Sequence, residues 1–137
     1  MLVVDDDDSM RLLCRVNLEL SGCEVREAAD GTEALARARE SGLDLILLDI
    51  MMPGIGGHDV ARQLARDERT RNLPFIFLSA RVDRENVRLG YELGAADFVT
   101  KPFDPLDLVT RVMQALERAE CGESEQFRLA RLAELGA

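Results

Sequence analysis

Four consecutive carboxylates stand near the start of the chain, directly after a short apolar run. The stretch reads LVVDDDDSMR and places Asp5, Asp6, Asp7 and Asp8 side by side. Carboxylates this close raise one another's pKa and oppose folding unless a proton or a cation neutralises them. The sequence therefore predicts that some of these acids bind a cation.

The elements that must position these acids alternate regularly along the chain. Short apolar runs predict five strands, at residues 1–4, 23–28, 43–49, 73–79 and 96–100. The segments between them are rich in helix formers and mostly close on glycine, and a fifth helix is predicted over 104–120. This alternation is typical of α/β proteins and predicts a doubly wound (βα)5 fold, with a five-stranded parallel sheet between two layers of helices.

Polar side chains follow these predicted strands at their carboxyl ends, where sites form in open parallel sheets. Asp5 and Asp6 end the first strand, Asp49 the third and Ser79 the fourth, and Lys101 follows the fifth. Three carboxylates, a hydroxyl and an ammonium at one edge suit a hard divalent cation together with a phosphoryl group. Mg²⁺ is the expected cation.

Four segments resemble the receiver domains of two-component response regulators. VVDDDDSMR is similar to the family's acidic pair, LILLDIMMPGIGG to its phosphorylation loop, FIFLSA to its hydroxyl-bearing strand and GAADFVTKPF to its switch aromatic and Lys-Pro step. They occur in the family's order and spacing. The resemblance implies a chemotaxis-regulator-like receiver domain over residues 1–119, with the flavodoxin-like strand order 2-1-3-4-5. Residues 120–137 would then form a C-terminal tail, either a short helix or the start of a linker.

The resemblance also implies a chemistry for the acidic residues. Asp49 would accept a phosphoryl group from the phosphohistidine of a sensor histidine kinase or a phosphotransfer protein. Asp5, Asp6, Asp49 and the backbone carbonyl of Met51 would hold Mg²⁺ or Mn²⁺. The domain would catalyse its own phosphorylation and slow dephosphorylation, and would not be a turnover enzyme.

A second group of residues would convert phosphorylation into a change of shape. Lys101 and Ser79 would bind the new phosphate, and Phe98 would turn from an exposed to a buried position as the Ser79 loop moves inward. Pro102 would follow a cis peptide bond that aims Lys101 into the site. The face of the fourth helix, fifth strand and fifth helix would then meet a downstream protein or an output domain.

Two positions next to the site are expected to tune the lifetime of the phosphorylated state. Met51 lies two residues beyond Asp49, and Arg81 lies two residues beyond Ser79. Neither side chain carries an amide or a carboxylate that would orient a water molecule. Slow self-dephosphorylation is therefore expected.

Composition limits the classes of partner. Acidic residues outnumber basic ones by 26 to 17, and the net charge of −9 disfavours direct binding to nucleic acid phosphates. Three scattered cysteines fit a reducing cytoplasm, and no leader or apolar run of about 18 residues predicts secretion or a membrane span. A cytoplasmic location with protein partners is expected.

The predicted first helix carries a second apolar stripe. Its buried face is expected to hold Met10, Leu13, Cys14 and Leu18. Leu12, Val16 and Leu20 recur at intervals of four residues on another side and should be exposed. Such a stripe is expected to contact a partner, a second copy in a homodimer or the tail.

The tail itself contains a helical pattern after Gly122. Ser124 is expected to cap this helix, which carries Phe127, Leu129, Leu132 and Leu135. The sequence leaves open whether the helix docks on the domain or begins a linker to a further domain.

Two other functions are compatible with parts of the pattern. A haloacid-dehalogenase-like phosphatase also uses an aspartyl phosphate and Mg²⁺, and Asp5 and Asp7 have its D-x-D spacing. That reading leaves LLDIMMPG without a role, and turnover of a phosphomonoester would distinguish it. A pseudo-receiver that acts as a passive scaffold is disfavoured by the complete set of site residues, and failure to bind Mg²⁺ would favour it.

Overall fold

A computed structural model describes residues 1–81 and 83–136. Within these residues, strands and helices alternate from β1 to α5, and a further helix follows. The strands are β1 (Leu2–Val4), β2 (Arg26–Ala28), β3 (Ile46–Asp49), β4 (Phe75–Ser79) and β5 (Asp97–Thr100). The helices are α1 (Asp8–Leu20), α2 (Gly31–Ala38), α3 (Gly57–Arg66), α4 (Arg84–Glu92), α5 (Pro105–Cys121) and α6 (Ser124–Glu134).

The strands form one parallel sheet in the order β2-β1-β3-β4-β5. This confirms the predicted doubly wound fold and its strand order. Strands β2 and β3 are shorter than predicted because both pair with β1, whose ladder begins only at Leu2, opposite Arg26 and Ile46. Before those positions the ladder with β1 ends, although the Leu45 carbonyl still accepts a hydrogen bond from the N–H of Leu2.

The core consists of two layers, one on each side of the sheet. Alternate residues of a strand enter opposite layers, so Val4 and Leu48 face α2, α3 and α4, whereas Val3 and Leu47 face α1 and α5. Burial on both sides explains why the central strands read as continuous apolar runs.

Helix α1 exposes the predicted stripe and one residue more. Leu12 is 57% exposed, Val16 44% and Leu20 81%, as predicted, whereas Cys14 and Leu18 are buried. The prediction that Leu13 is buried was wrong, since this side chain is 39% exposed. Leu13 precedes Leu20 by seven residues, almost two turns at about 3.6 residues per turn, and so points in nearly the same direction.

Helix α6 begins one residue earlier than the cap prediction requires. Ser124 is its first helical residue, Glu123 is the N-cap, and no side-chain cap bond forms there. The prediction that Ser124 caps the helix was therefore wrong. The cause lies in α5, which ends at Gly122 in the left-handed conformation with the N–H of Glu123 bonded to the Arg118 carbonyl, so that α6 follows at once.

Among the described residues, no helix is long and apolar enough to cross a membrane.

Candidate functional site

The carboxyl ends of β1 and β3 bring three carboxylates together. Asp5, Asp6 and Asp49 each offer an oxygen atom within 4.8 Å of the others. Asp5 and Asp49 are buried, whereas Asp6 is open to solvent. Hard oxygen ligands, two of them fixed in the fold and one accessible, match the ligand preference of Mg²⁺. The residues present therefore fit the expected cation.

The other two acids of the run serve the start of α1. The Asp7 carboxylate accepts hydrogen bonds from the N–H groups of Ser9 (2.9 Å) and Met10 (3.2 Å), which makes Asp7 the N-cap of the helix. Asp8 pairs with Arg11 at 2.6 Å. The run of four thus divides into two residues that face the site and two that position the helix.

Arg11 holds the acidic loop in place, a role that sequence reasoning missed. Its guanidinium donates to the backbone carbonyl of Asp5 (2.7 Å), to Asp8 and to Glu27 on β2 (3.2 Å). The pairing with Asp8 at a spacing of three residues was readable from the sequence. The contacts with Asp5 and Glu27 depend on the fold and were not.

Lys101 reaches the carboxylates from β5. Its Nζ lies 2.8 Å from Oδ2 of Asp5 and 3.3 Å from Oδ1 of Asp49. The peptide bond between Lys101 and Pro102 is cis. Burial lowers the pKa of Lys101, but its hydrogen bond to Asp5 and the nearby Asp49 charge outweigh burial and raise it. The ammonium is therefore a fixed positive charge within the site.

The surroundings of Asp49 disfavour the ionised form of its carboxyl. Burial raises the pKa of its carboxyl to about 6, the charge of Asp5 adds to the effect, and Lys101 opposes it. The single ammonium does not fully compensate two buried carboxylates. The site has a remaining demand for positive charge, which a divalent cation would meet.

Ser79 and Arg81 lie at the end of β4. Ser79 is buried, and its Oγ accepts a hydrogen bond from the N–H of Arg81 (3.0 Å). A hydroxyl that accepts one bond can still donate its hydrogen to another oxygen. Arg81 is exposed, as is Met51, whose N–H lies 3.4 Å from Oδ1 of Asp49.

A glycine allows the loop between β3 and α3 to pack closely. A Cβ atom at Gly57, the first residue of α3, would lie 2.5 Å from the Asp49 carbonyl oxygen and 2.7 Å from Cα of Ile50. The absence of a side chain at Gly57 lets α3 approach the strand that carries Asp49.

Phe98 lies inside the protein, contrary to the expectation of an exposed side chain in the unmodified chain. It is only 7% exposed, and its ring centroid lies 6.3 Å from that of Phe77. The physical reason is Gly90 on α4, where a Cβ atom would come within 2.9 Å of the Phe98 ring. The missing side chain leaves room for the aromatic ring without any modification at Asp49.

Comparison with known proteins identifies the family. A family model described as "Response regulator receiver domain" matches residues 1–113. The chain belongs to this family. The match confirms the resemblance inferred from the four segments.

Curated relatives of this receiver domain are longer proteins. The chain is 43% identical over 125 residues to the phosphate regulon transcriptional regulatory protein PhoB of Pseudomonas aeruginosa, covering 91% of this chain and 55% of that protein. It is 41% identical over 130 residues to the DNA-binding response regulator MtrA of Mycobacterium tuberculosis, covering 95% of this chain and 56% of that protein. The chain thus spans about half the length of these relatives.

Solved receiver structures share the fold. Chemotaxis protein CheY4 of Vibrio cholerae has a TM-score of 0.79 at 32% identity, with 83% of this chain and 95% of that chain covered. A putative response regulator from Chloroflexus aurantiacus has a TM-score of 0.80 at 38% identity, with 85% and 96% covered.

Proposed function

We propose that this receiver domain is a phosphorylation-activated switch in which Asp49 accepts a phosphoryl group from the phosphohistidine of a partner kinase or phosphotransfer protein. The observation that carries the proposal is the convergence of Asp5, Asp6 and Asp49 beside the ammonium of Lys101. Membership of the response regulator receiver family supports it.

The nucleophile in this reaction is a carboxylate oxygen of Asp49. It attacks phosphorus while the bond to the donor's imidazole nitrogen breaks, so that the imidazole leaves and an acyl phosphate remains. Lys101, whose Nζ contacts Asp5 and Asp49, would pair with the new phosphate oxygens. The Ser79 hydroxyl would donate to another of these oxygens.

Asp5, Asp6, Asp49 and the Met51 carbonyl would hold the divalent cation. Bound Mg²⁺ supplies positive charge that neutralises the oxygens of the transferring phosphoryl group. The residues themselves supply position, because Asp5 and Asp49 are buried and Arg11 fixes the backbone of Asp5.

The response spreads from the site through β4 and β5. New bonds from Ser79 and Lys101 to the phosphate would draw the loop after β4 toward Asp49 and shift α4. Because Phe98 is already buried, its outward-to-inward rotation is not required to start the change. The altered face of α4, β5 and α5 would meet the downstream protein or output domain.

The phosphorylated state is expected to decay slowly. Met51 and Arg81 are exposed beside the site and carry neither an amide nor a carboxylate to orient an attacking water molecule. The decay of phosphate-labelled protein, followed at room temperature after removal of the donor, measures this lifetime. A lifetime of seconds would contradict the expectation.

The two alternative functions are less well supported. A haloacid-dehalogenase-like phosphatase would use Asp5 as its nucleophile and Asp7 as its acid, but Asp7 is engaged as the N-cap of α1. A passive scaffold would have no use for three converging carboxylates and a buried lysine contact. The net charge of −9 supports the expectation that this domain does not bind nucleic acid directly, whereas MtrA is described as DNA-binding.

Titration with Mg²⁺ and beryllium fluoride, a mimic of the phosphoryl group, tests the proposal. We expect backbone NMR shifts to spread from Asp49 to Ser79, Phe98 and Lys101 in the wild type and to be lost in Asp49→Asn. Hydrolysis of a phosphomonoester would instead favour the phosphatase. An unchanged spectrum would favour the scaffold.

A further inference from the structure

Helix α6 lies along the whole length of α4, in the opposite direction. Near the middle of α6, Arg128 donates to the carbonyl of Tyr91, close to the end of α4, at 3.0 Å. Just past the end of α6, the Leu135 carbonyl accepts a hydrogen bond from Arg84, the first residue of α4, at 2.7 Å. The two anchors therefore lie at opposite ends of α4, and near the middle and just past the end of α6.

The same helix also contacts α5 beside the end strand of the sheet. The Arg118 guanidinium of α5 lies 3.6 Å from the ring centroid of Phe127 and donates to the carbonyl of Ala96, next to β5. The Arg131 guanidinium lies 5.8 Å from the ring centroid of Tyr91, which is fully buried beneath α6. Helix α6 thus occupies the groove that α4, β5 and α5 form.

Helix α6 is packed less firmly than the other helices of the fold. None of its described residues is buried, and Phe127, Leu132 and Leu135 are only partly covered. An isolated helix of this length is marginal in water. Nε of Arg131 is buried without a hydrogen-bond partner among the described residues, which weakens the docked state further.

Helix α6 also lies outside the part of the chain that defines the family. The family model ends at residue 113, and α6 begins at Ser124. The CheY4 structure is 95% covered by 83% of this chain. The receiver fold is thus complete before α6, which packs on its surface.

We propose that the groove of α4, β5 and α5 is a docking surface for an amphipathic helix that carries an aromatic residue beside arginines, and that α6 is its resident, displaceable occupant. Such a partner helix competes with α6 for the Tyr91 carbonyl and the Arg118 guanidinium. The inference rests on the proposed function in one respect, since that function makes this face the one that meets the downstream protein.

A peptide of residues 123–137 with a fluorescent label tests the proposal as a stand-in for the partner helix. The full chain with Phe127→Ala and Arg128→Gln loses two anchors of its own α6. We expect this variant to bind the peptide at least ten times more tightly than the wild type does, because the tethered helix blocks the groove at high effective concentration. Backbone NMR should place the peptide at Tyr91 and Ala96.

Leu129→Ala is the matched control, because Leu129 is on the same helix but is 53% exposed. This variant should bind the peptide as weakly as the wild type. Absence of saturable binding to the folded double variant would overturn the proposal, as would equal binding to the variant and the wild type. Should the double variant not fold, Arg128→Gln alone replaces it with the same criteria.

Hydrogen exchange on the wild type provides a second measurement. The amides of α6 should exchange through local opening while those of α5 stay protected. Equal protection of the two helices would overturn the proposal.

Neither experiment requires a metal or a phosphoryl group. Peptide binding should therefore be the same in the Asp49→Asn background. If Asp49 proves not to accept a phosphoryl group, the groove result stands, and a failure of the groove experiment leaves the beryllium fluoride result unaffected.

Discussion

Asp49 is the proposed reactive residue of the site, and its ionised carboxylate is costly to bury. Its carboxyl is 3% exposed, and burial with the charge of Asp5 raises its pKa to about 6. A nearby cation or a covalent modification lowers the free energy of an anion that is buried in such surroundings. The instability of the ionised form thus favours the cation binding and phosphorylation proposed for this site.

Replacing Asp49 by Asn should stabilise the metal-free protein in a pH-dependent way. The folded pKa lies above the unfolded value of about 3.9, so the ionised carboxylate opposes folding fully above about pH 6 and not at all below about pH 4. We expect Asp49→Asn to raise the free energy of unfolding by roughly 1–3 kcal/mol at about pH 7.5. Urea unfolding across this range measures the gain.

Asp6→Asn serves as the control, because Asp6 belongs to the same cluster but is exposed. Its gain should be smaller than that of Asp49→Asn above about pH 6. A gain from Asp49→Asn that stays constant down to about pH 4 would contradict the assigned burial cost.

At the scale of elements, periodicity predicted the order of strands and helices but not their limits. The apolar runs of β3 and β4 are long because both faces of these strands are buried. Such burial is visible in the sequence as consecutive apolar residues. The length of β2 depends on where β1 begins, which no local pattern contains. The convergence of Asp5, Asp6 and Asp49 was predictable because strand ends share one edge of the sheet. The role of Arg11 was not, because it depends on a contact between α1 and β2.

The contact between α4 and β5 depends on a missing side chain. A Cβ atom at Gly90 would lie 2.9 Å from Cδ2 of Phe98 and 3.1 Å from Cδ2 of Phe77. Gly90→Ala should therefore displace the Phe98 ring and lower the free energy of unfolding. Overpacking costs about 1–3 kcal/mol, and the higher helix propensity of alanine offsets about 1 kcal/mol of this.

Thermal unfolding and the NMR signals of the Phe98 ring measure the effect. In a Phe98→Leu background the closer of the two contacts is relieved, so Gly90→Ala should cost less there than in the wild type. An equal cost in both backgrounds would mean that Gly90 does not determine the position of Phe98.

The whole molecule carries a net charge of −9, and part of that charge is concentrated at one edge of the sheet. Any cation raises stability by screening the general repulsion, whereas a specifically bound cation adds its binding free energy. The two contributions separate when salts are compared at equal ionic strength. Stability is therefore a direct measure of whether the acidic cluster is a site.

Mg²⁺ at ten times its dissociation constant should raise the free energy of unfolding by about 1.4 kcal/mol beyond the effect of NaCl at equal ionic strength. The excess arises because Asp5, Asp6 and Asp49 lie together only in the folded state. Urea unfolding in the two salts measures it, and Asp49→Asn should lose most of the excess. Equal stabilisation by MgCl₂ and NaCl would show that the cluster attracts cations without binding one specifically. Screening acts on the net charge and does not depend on the carboxylates being close together.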